Sequence, residues 1–211
     1  MKTDAKLIFD WSGTISDDFD IVLAAINKVS SFYGKQPITS SELKGSYSAD
    51  SSFLWRRFRI PVDEATQRFK EYLRSGEEPK QIPGAIEIVN GLINLFPVTI
   101  LTTHPQDLVE RESRRYGLRE CMILGGVKKA HPCETLEKQI EGLNKNRVIY
   151  VGDTLVDVEL AKVYKLVSVA LAHKYGYHEQ EILEHGEPNK IIHSLEEFPL
   201  LVNNILEEIV A

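Results

Sequence analysis

Asp10, Thr102 and Asp153 each stand at the end of a short apolar run. Leu7-Ile8-Phe9 precedes Asp10, Val98-Thr99-Ile100-Leu101 precedes Thr102, and Val148-Ile149-Tyr150-Val151-Gly152 precedes Asp153. Runs this short read as buried strands, because helices need longer periodic segments. Two carboxylates at neighbouring strand tips repel one another unless a cation lies between them. A hard divalent ion suits oxygen ligands, and Mg²⁺ is the usual partner of phosphate groups. Asp157 follows Asp153 by four residues, so it can face the same site from the first turn of a helix, where acidic groups also suit the dipole. A phosphoryl group brings negative oxygens that call for a cation, hydroxyl or amide donors, and a Lys or Arg. Thr102, with Thr103 beside it, supplies hydroxyls. Lys129, in Lys128-Lys129-Ala130-His131-Pro132, supplies an ammonium just before a helix that Pro132 can start; it is preferred to Lys128 for its distance to Pro132.

The elements that position these residues alternate. After Asp10, Trp11-Ser12-Gly13-Thr14 reads as a turn, and Gly13 can take dihedrals closed to other residues. Val22, Ala25, Ile26, Val29, Phe32 and Tyr33 recur at helical spacing up to Gly34. From about 39 to 77 only further short helices are expected, one capped by Ser40 or Ser41, one carrying Phe53, Trp55 and Phe58, and one over 62–73. Gly76-Glu77-Glu78-Pro79 breaks the chain. From Pro83 onward helices and strands alternate, with Val167 to Leu171 as another strand, Ile191-Ile192 as a short edge strand, and a last helix placing Leu195, Phe198, Val202, Ile205 and Ile209 on one face. This pattern predicts an α/β fold, a doubly wound parallel sheet over residues 1–15 and 83–211, with a small all-helical insertion at 16–82. Ligands bind at the carboxyl ends of the strands in such sheets, the ends where Asp10, Thr102 and Asp153 stand.

Composition narrows the function. The 211 residues carry a net charge of −6, which offers no positive field for nucleic acid. No stretch approaches the roughly 20 apolar residues of a membrane span. Lys2 and Lys6 precede Asp10 without an apolar run of signal-peptide length, and Cys121 and Cys133 form no CxxC, so a cytoplasmic, reducing setting is expected. The six histidines show no zinc-ligand spacing. Arg56, Arg57 and Arg59 read as a solvated helix face, and Trp55 as packing within the insertion.

Taken together, Asp10-Trp11-Ser12-Gly13-Thr14, then Thr102, then Lys129 with Pro132, then Gly152-Asp153 through Asp157 resemble, in order, the four motifs of the haloacid dehalogenase superfamily. The helical insertion resembles the cap of its phosphoglycolate phosphatase and β-phosphoglucomutase branch. The resemblance implies a Rossmann-like core and a magnesium-dependent phosphatase acting on a small phosphorylated metabolite, as monomer or homodimer. It implies that Asp10 attacks phosphorus to form an aspartyl-phosphate. It implies that Asp10, the Ser12 carbonyl and Asp153 hold Mg²⁺ with Asp157 in support, and that Thr102 and Lys129 hold the phosphate. Gly13, Thr14, Thr103 and Lys44 are the expected substrate contacts.

One position departs from the family. Its phosphatases carry a second Asp two residues after the nucleophile as general acid and base, a function worth about 10²–10⁴-fold. Here that residue is Ser12. Either the leaving group needs little protonation, or another residue such as His104 or His131 takes over, or the chemistry differs. Asp10-Trp11-Ser12-Gly13-Thr14 is also similar to the corresponding segment of phosphonoacetaldehyde hydrolase, which cleaves a carbon–phosphorus bond through a cap lysine; Lys44 is the candidate for that role. Leu43-Lys44-Gly45 and Asp50 look more like the cap loop of β-phosphoglucomutase. A weakly active or inactive binding module of the same fold is the remaining alternative.

Overall fold

Leu7, Ile8 and Phe9 have no solvent exposure. They form β1 (Lys6–Phe9), the inner strand of the computed structural model, which describes residues 5–48, 52–129 and 132–208. A strand covered on both faces reads as a continuous apolar run rather than an alternation. β1 pairs in parallel with β4 (Val98–Leu101) on one side and β6 (Val148–Gly152) on the other. β5 (Met122–Leu124) lies outside β4, while β7 (Val167–Leu171) and β8 (Lys190–Ile192) lie outside β6. The six-stranded order is thus β5-β4-β1-β6-β7-β8, all parallel. The chain leaves β1 toward β4 and leaves β6 toward β7, so the strand order reverses between β1 and β6. A crevice opens at such a switch point.

Side chains alternate across the sheet. Leu7, Phe9 and Ile149 pack against α5 (Ala85–Ile93), α6 (Gln106–Tyr116) and α10 (Phe198–Glu208). Ile8, Val148 and Tyr150 pack against α7 (Glu134–Ile140) and α8 (Leu155–Val163) on the opposite face. Helices on both faces make the sheet doubly wound, as expected. α9 (Gln180–Glu184) packs beside β7 through Leu183 and Ala170.

Between the first strand and the rest, the described residues form four helices: α1 (Phe19–Phe32), α2 (Ser40–Ser46), α3 (Ser52–Arg57) and α4 (Val62–Ser75). They lie within the expected insertion and bury their own apolar cluster, including Val29, Leu43, Trp55 and Ala65. The cap of α2 is Thr39, not Ser40 or Ser41: its hydroxyl accepts from Glu42 N–H and Glu42 accepts from Thr39 N–H, a reciprocal capping box. Two strands of two residues each, β2 (Ser16–Asp17) and β3 (Lys80–Gln81), pair antiparallel and clasp the entry and exit of this segment. The insertion docks on the core through Tyr177, whose ring centroid lies 5.1 Å from Phe19 and 4.4 Å from Tyr47. Arg74 of α4 adds a two-pronged bond to Asp107 of α6 at 2.7 and 3.0 Å. Among the described residues no helix is long and apolar enough to cross a membrane. Lys2, Asp50, Ala130, His131 and Ile209 lie outside the described residues.

Candidate active site

Asp10 follows β1 directly, and its backbone N–H donates to Val151 O at 2.9 Å, tying it to β6. Asp153 follows β6, and Asp157 lies in the first turn of α8. Oxygens of these three buried carboxylates lie within 4.8 Å of one another. Each is held from behind. The Thr14 hydroxyl donates to one oxygen of Asp153 at 2.9 Å and the Tyr177 N–H to the other at 2.7 Å. Asp157 closes a capping box with Thr154, whose hydroxyl donates to it at 2.5 Å. The Trp11 N–H donates to Asp10 Oδ1 at 2.7 Å. Gly13 turns the chain here at φ +70°, and a Cβ on it would lie 2.2 Å from Asp153 Oδ2. Only a residue lacking Cβ fits both the dihedral and the approach.

The ammonium of this cluster belongs to Lys128. Its Nζ donates to Asp10 Oδ2 and, at 2.9 Å, to Asp157 Oδ1. Lys129, the expected residue, is exposed. The reason is backbone geometry: Val127 N–H and Lys128 N–H both donate to Thr102 O, at 3.3 and 3.2 Å, which sets Lys128 facing inward. Three carboxylates and one ammonium leave two excess negative charges, the complement of one divalent cation. Burial pushes Asp10 up to about 6, with Asp157 adding to the rise and Lys128 pulling it back. Burial and the charges of Asp10 and Asp157 hold Asp153 well above the carboxylate range. Such groups remain ionised together only with further positive charge. The all-oxygen donor set suits a hard ion such as Mg²⁺.

A second buried polar cluster adjoins the first. The Ser12 hydroxyl donates to Asp18 Oδ2 at 2.6 Å, and the Tyr177 hydroxyl donates to Asp18 Oδ1 at 3.0 Å. His104 Nδ1 faces Asp18 Oδ2 at 3.8 Å, while His104 Nε2 bonds Glu112 Oε1 at 3.2 Å. Glu112 also accepts from Trp11 Nε1 at 2.7 Å. Burial opposes charge on His104, but the Glu112 bond and the charges of Asp18, Glu112 and Asp10 outweigh it and raise its pKa. Burial lifts Asp18 to about 6 against the pull of His104 and Ser12. Asp18, Glu112, Lys128 and Tyr177 were absent from the sequence-based site. Glu112 left a signal there: it falls on the helical face of Leu108 and Val109, where a carboxylate needs a buried partner.

Both clusters border a cavity of about 460 Å³ between the core and the insertion. Ser12, Thr103, His104, Lys128 and Lys129 line its core end. Thr102 is fully buried outside the lining, and its hydroxyl accepts from His104 N–H at 3.2 Å. Three expected substrate contacts lie elsewhere. Gly13 and Thr14 do not line the cavity; they shape and hold Asp153 instead. Lys44 is turned away, its Nζ 5.4 Å above the centre of the Phe19 ring.

The family model for haloacid dehalogenase-like hydrolases matches residues 7–171. A phosphoglycolate phosphatase from Synechococcus elongatus is 24% identical, the match covering 96% of this chain and 99% of that protein. Among solved structures, a predicted phosphatase from Clostridium acetobutylicum superimposes with a TM-score of 0.79 at 19% identity, covering 96% of this chain and 98% of its own. A haloacid dehalogenase-like family protein from Streptococcus pneumoniae gives 0.73 at 20% identity, covering 93% and 97%.

Proposed function

The chain belongs to the haloacid dehalogenase-like hydrolases, and from that premise we propose that it is a Mg²⁺-dependent phosphatase working through an aspartyl-phosphate on Asp10. The observation that carries the reading is Asp10 itself, bonded to Lys128 and grouped with Asp153 and Asp157 beside the cavity. Asp10, Asp153 and the Ser12 carbonyl would hold the metal, with Asp157 in support. When bound, the ion supplies positive charge against the phosphoryl oxygens.

The chain's own groups do the rest. Lys128 and the Trp11 amide fix the Asp10 carboxylate, and burial makes it more basic than an exposed one. Lys128 and Thr103 meet the phosphate, and the buried Thr102 hydroxyl fixes the His104 backbone behind them. Asp10 attacks phosphorus, the ester P–O bond breaks, and the departing oxygen needs a proton. Ser12 is too weak an acid to give it. His104 lines the cavity beside Ser12 and is backed by Glu112, so its imidazolium gives that proton and its neutral form then takes one from the water that hydrolyses the acyl phosphate. The helical insertion between the clasp strands acts as the cap that roofs the site. The carbon–phosphorus reading gains no support, since its amine, Lys44, lies outside the cavity.

The test is phosphate release from p-nitrophenyl phosphate. Turnover should require Mg²⁺, stop in excess chelator, and vanish in a folded Asp10→Asn variant. Full turnover in that variant would overturn the nucleophile assignment.

A further inference from the structure

The part of the cavity that lies beyond the phosphate end belongs to the insertion. Val22, Ile26, Leu43, Leu54, Phe69 and Leu73 line it, with Tyr47 and Trp55. No aspartate, glutamate or arginine is among the lining residues described. Of its lysines, Lys128 is engaged by Asp10 and Asp157, and Lys70 and Lys129 are exposed. The wall also carries the hydroxyls of Ser46, Ser48 and Thr66 and the indole of Trp55. Trp55 has no solvent exposure, and its indole N–H has no hydrogen-bond partner among the described residues. A buried donor without an acceptor is costly, and native structures rarely leave one so.

These features fit one kind of occupant. Cavities of roughly 300–1,000 Å³ with apolar walls and few polar groups suit drug-sized molecules, and about 460 Å³ falls in that range. A two-carbon acid such as glycolate would stay at the core end, near Ser12, Thr103, His104 and Lys129, and leave the apolar part of the cavity unfilled. We propose that the substrate is a phosphomonoester of a bulky, uncharged and largely apolar alcohol, bearing an acceptor that reaches the Trp55 indole N–H. This rests on the phosphatase reading and extends it. The phosphate lies at the Lys128 end, the apolar body fills the space under α1, α3 and α4, and Trp55 fixes its orientation. The core end carries the phosphate chemistry, while the insertion selects the alcohol.

Primary alkyl phosphates isolate the cavity, because their leaving groups have nearly the same acidity and differ only in apolar length. With the full chain and Mg²⁺, kcat/KM should rise by about 3-fold per added methylene until the cavity fills. The best member should exceed phosphoglycolate by at least about 10-fold. A second series replaces one methylene by an ether oxygen at successive positions. At one position the ether-to-parent ratio should fall by about 2- to 10-fold in Trp55→Phe, the worth of one hydrogen bond. A flat chain-length series, or phosphoglycolate as the best substrate, overturns the proposed class while turnover of p-nitrophenyl phosphate leaves the phosphatase standing. A ratio unmoved by Trp55→Phe at every position overturns the orienting role of Trp55. Absence of p-nitrophenyl phosphate turnover overturns the phosphatase reading and this inference with it. The chain-length series needs no variant, so it decides even if Trp55→Phe fails to fold.

Discussion

Removing the metal should make this protein less stable as pH rises, and Asp10→Asn should reverse the effect. Burial lifts Asp10 from its ordinary 3.8 to about 6. A carboxyl with a raised folded-state pKa holds its proton more tightly in the folded chain than in the unfolded one. The stability this gives is fully present below about pH 4 and is lost as pH climbs to about 6, remaining lost above. The difference corresponds to about 3 kcal/mol at neutral pH. Asp153 is raised as well, so the loss continues beyond the Asp10 window. For a domain of this size, about 3 kcal/mol is roughly 6–12 °C in melting temperature. The assay is a set of thermal melts in excess chelator between about pH 5 and about pH 7.5, for wild type and Asp10→Asn. The variant removes one of three crowded carboxylates while keeping the side-chain shape. It should melt higher than wild type at the upper pH, and the gap should shrink to about half at the lower pH. Mg²⁺ should raise the wild-type melting temperature by binding the folded state alone. If metal-free Asp10→Asn melts below wild type at neutral pH, Lys128 outweighs burial and the electrostatic account of the site is refuted.

Further outcomes follow from the geometry of the site. His104→Gln should lower kcat on alkyl phosphates by about 10²-fold or more while affecting p-nitrophenyl phosphate far less, because only the alkoxide needs a proton. His104 is faced by Glu112, Asp18 and Asp10, which raise its pKa, so alkyl turnover should fall as pH rises through a value above the ordinary imidazole range. Glu112→Gln should move that fall to lower pH. Steady-state kinetics across pH tests both. Lys128→Met should cost about 10²-fold or more in kcat, as loss of a buried charge donor does, and Lys129→Met far less; the reverse ranking would restore Lys129 to the site. Gly13→Ala should destabilise the fold by about 1–2 kcal/mol through its left-handed dihedral alone. Its Cβ would also press on Asp153, so calorimetric Mg²⁺ affinity should drop too.

The strand-end residues were legible because buried parallel strands are written as unbroken apolar runs, and a polar residue after such a run is conspicuous. Asp10 and Asp153, which meet Asp157 in one cluster, stand out this way, and Asp157 by helical spacing; Thr102 stands out likewise but lies buried outside the cavity. Lys128 was missed because the choice between adjacent lysines depends on two amides that converge on the Thr102 carbonyl, a tertiary feature with no local pattern. Asp18 was missed for a similar reason. Its partners Ser12, His104 and Tyr177 come from separate segments of the chain, and nothing around Asp18 marks it as buried. β2 and β3, at two residues each, are too short for any periodicity to register.

Those two short strands also set how the chain can be rearranged. Ser16 pairs with Gln81 and Asp17 with Lys80, so residues 18–79 leave and rejoin the core at neighbouring points. Adjacent strands are about 4.8 Å apart. To the sheet, that long excursion is therefore equivalent to a hairpin loop. Its length places no demand on the register of β1 and β4, while Asp18, Phe19 and Arg74 tie it to Ser12, Tyr177 and Asp107 of the core. The roof over the cavity can in this sense be exchanged between the clasp strands, provided a graft keeps Asp18 and the face that meets Tyr177.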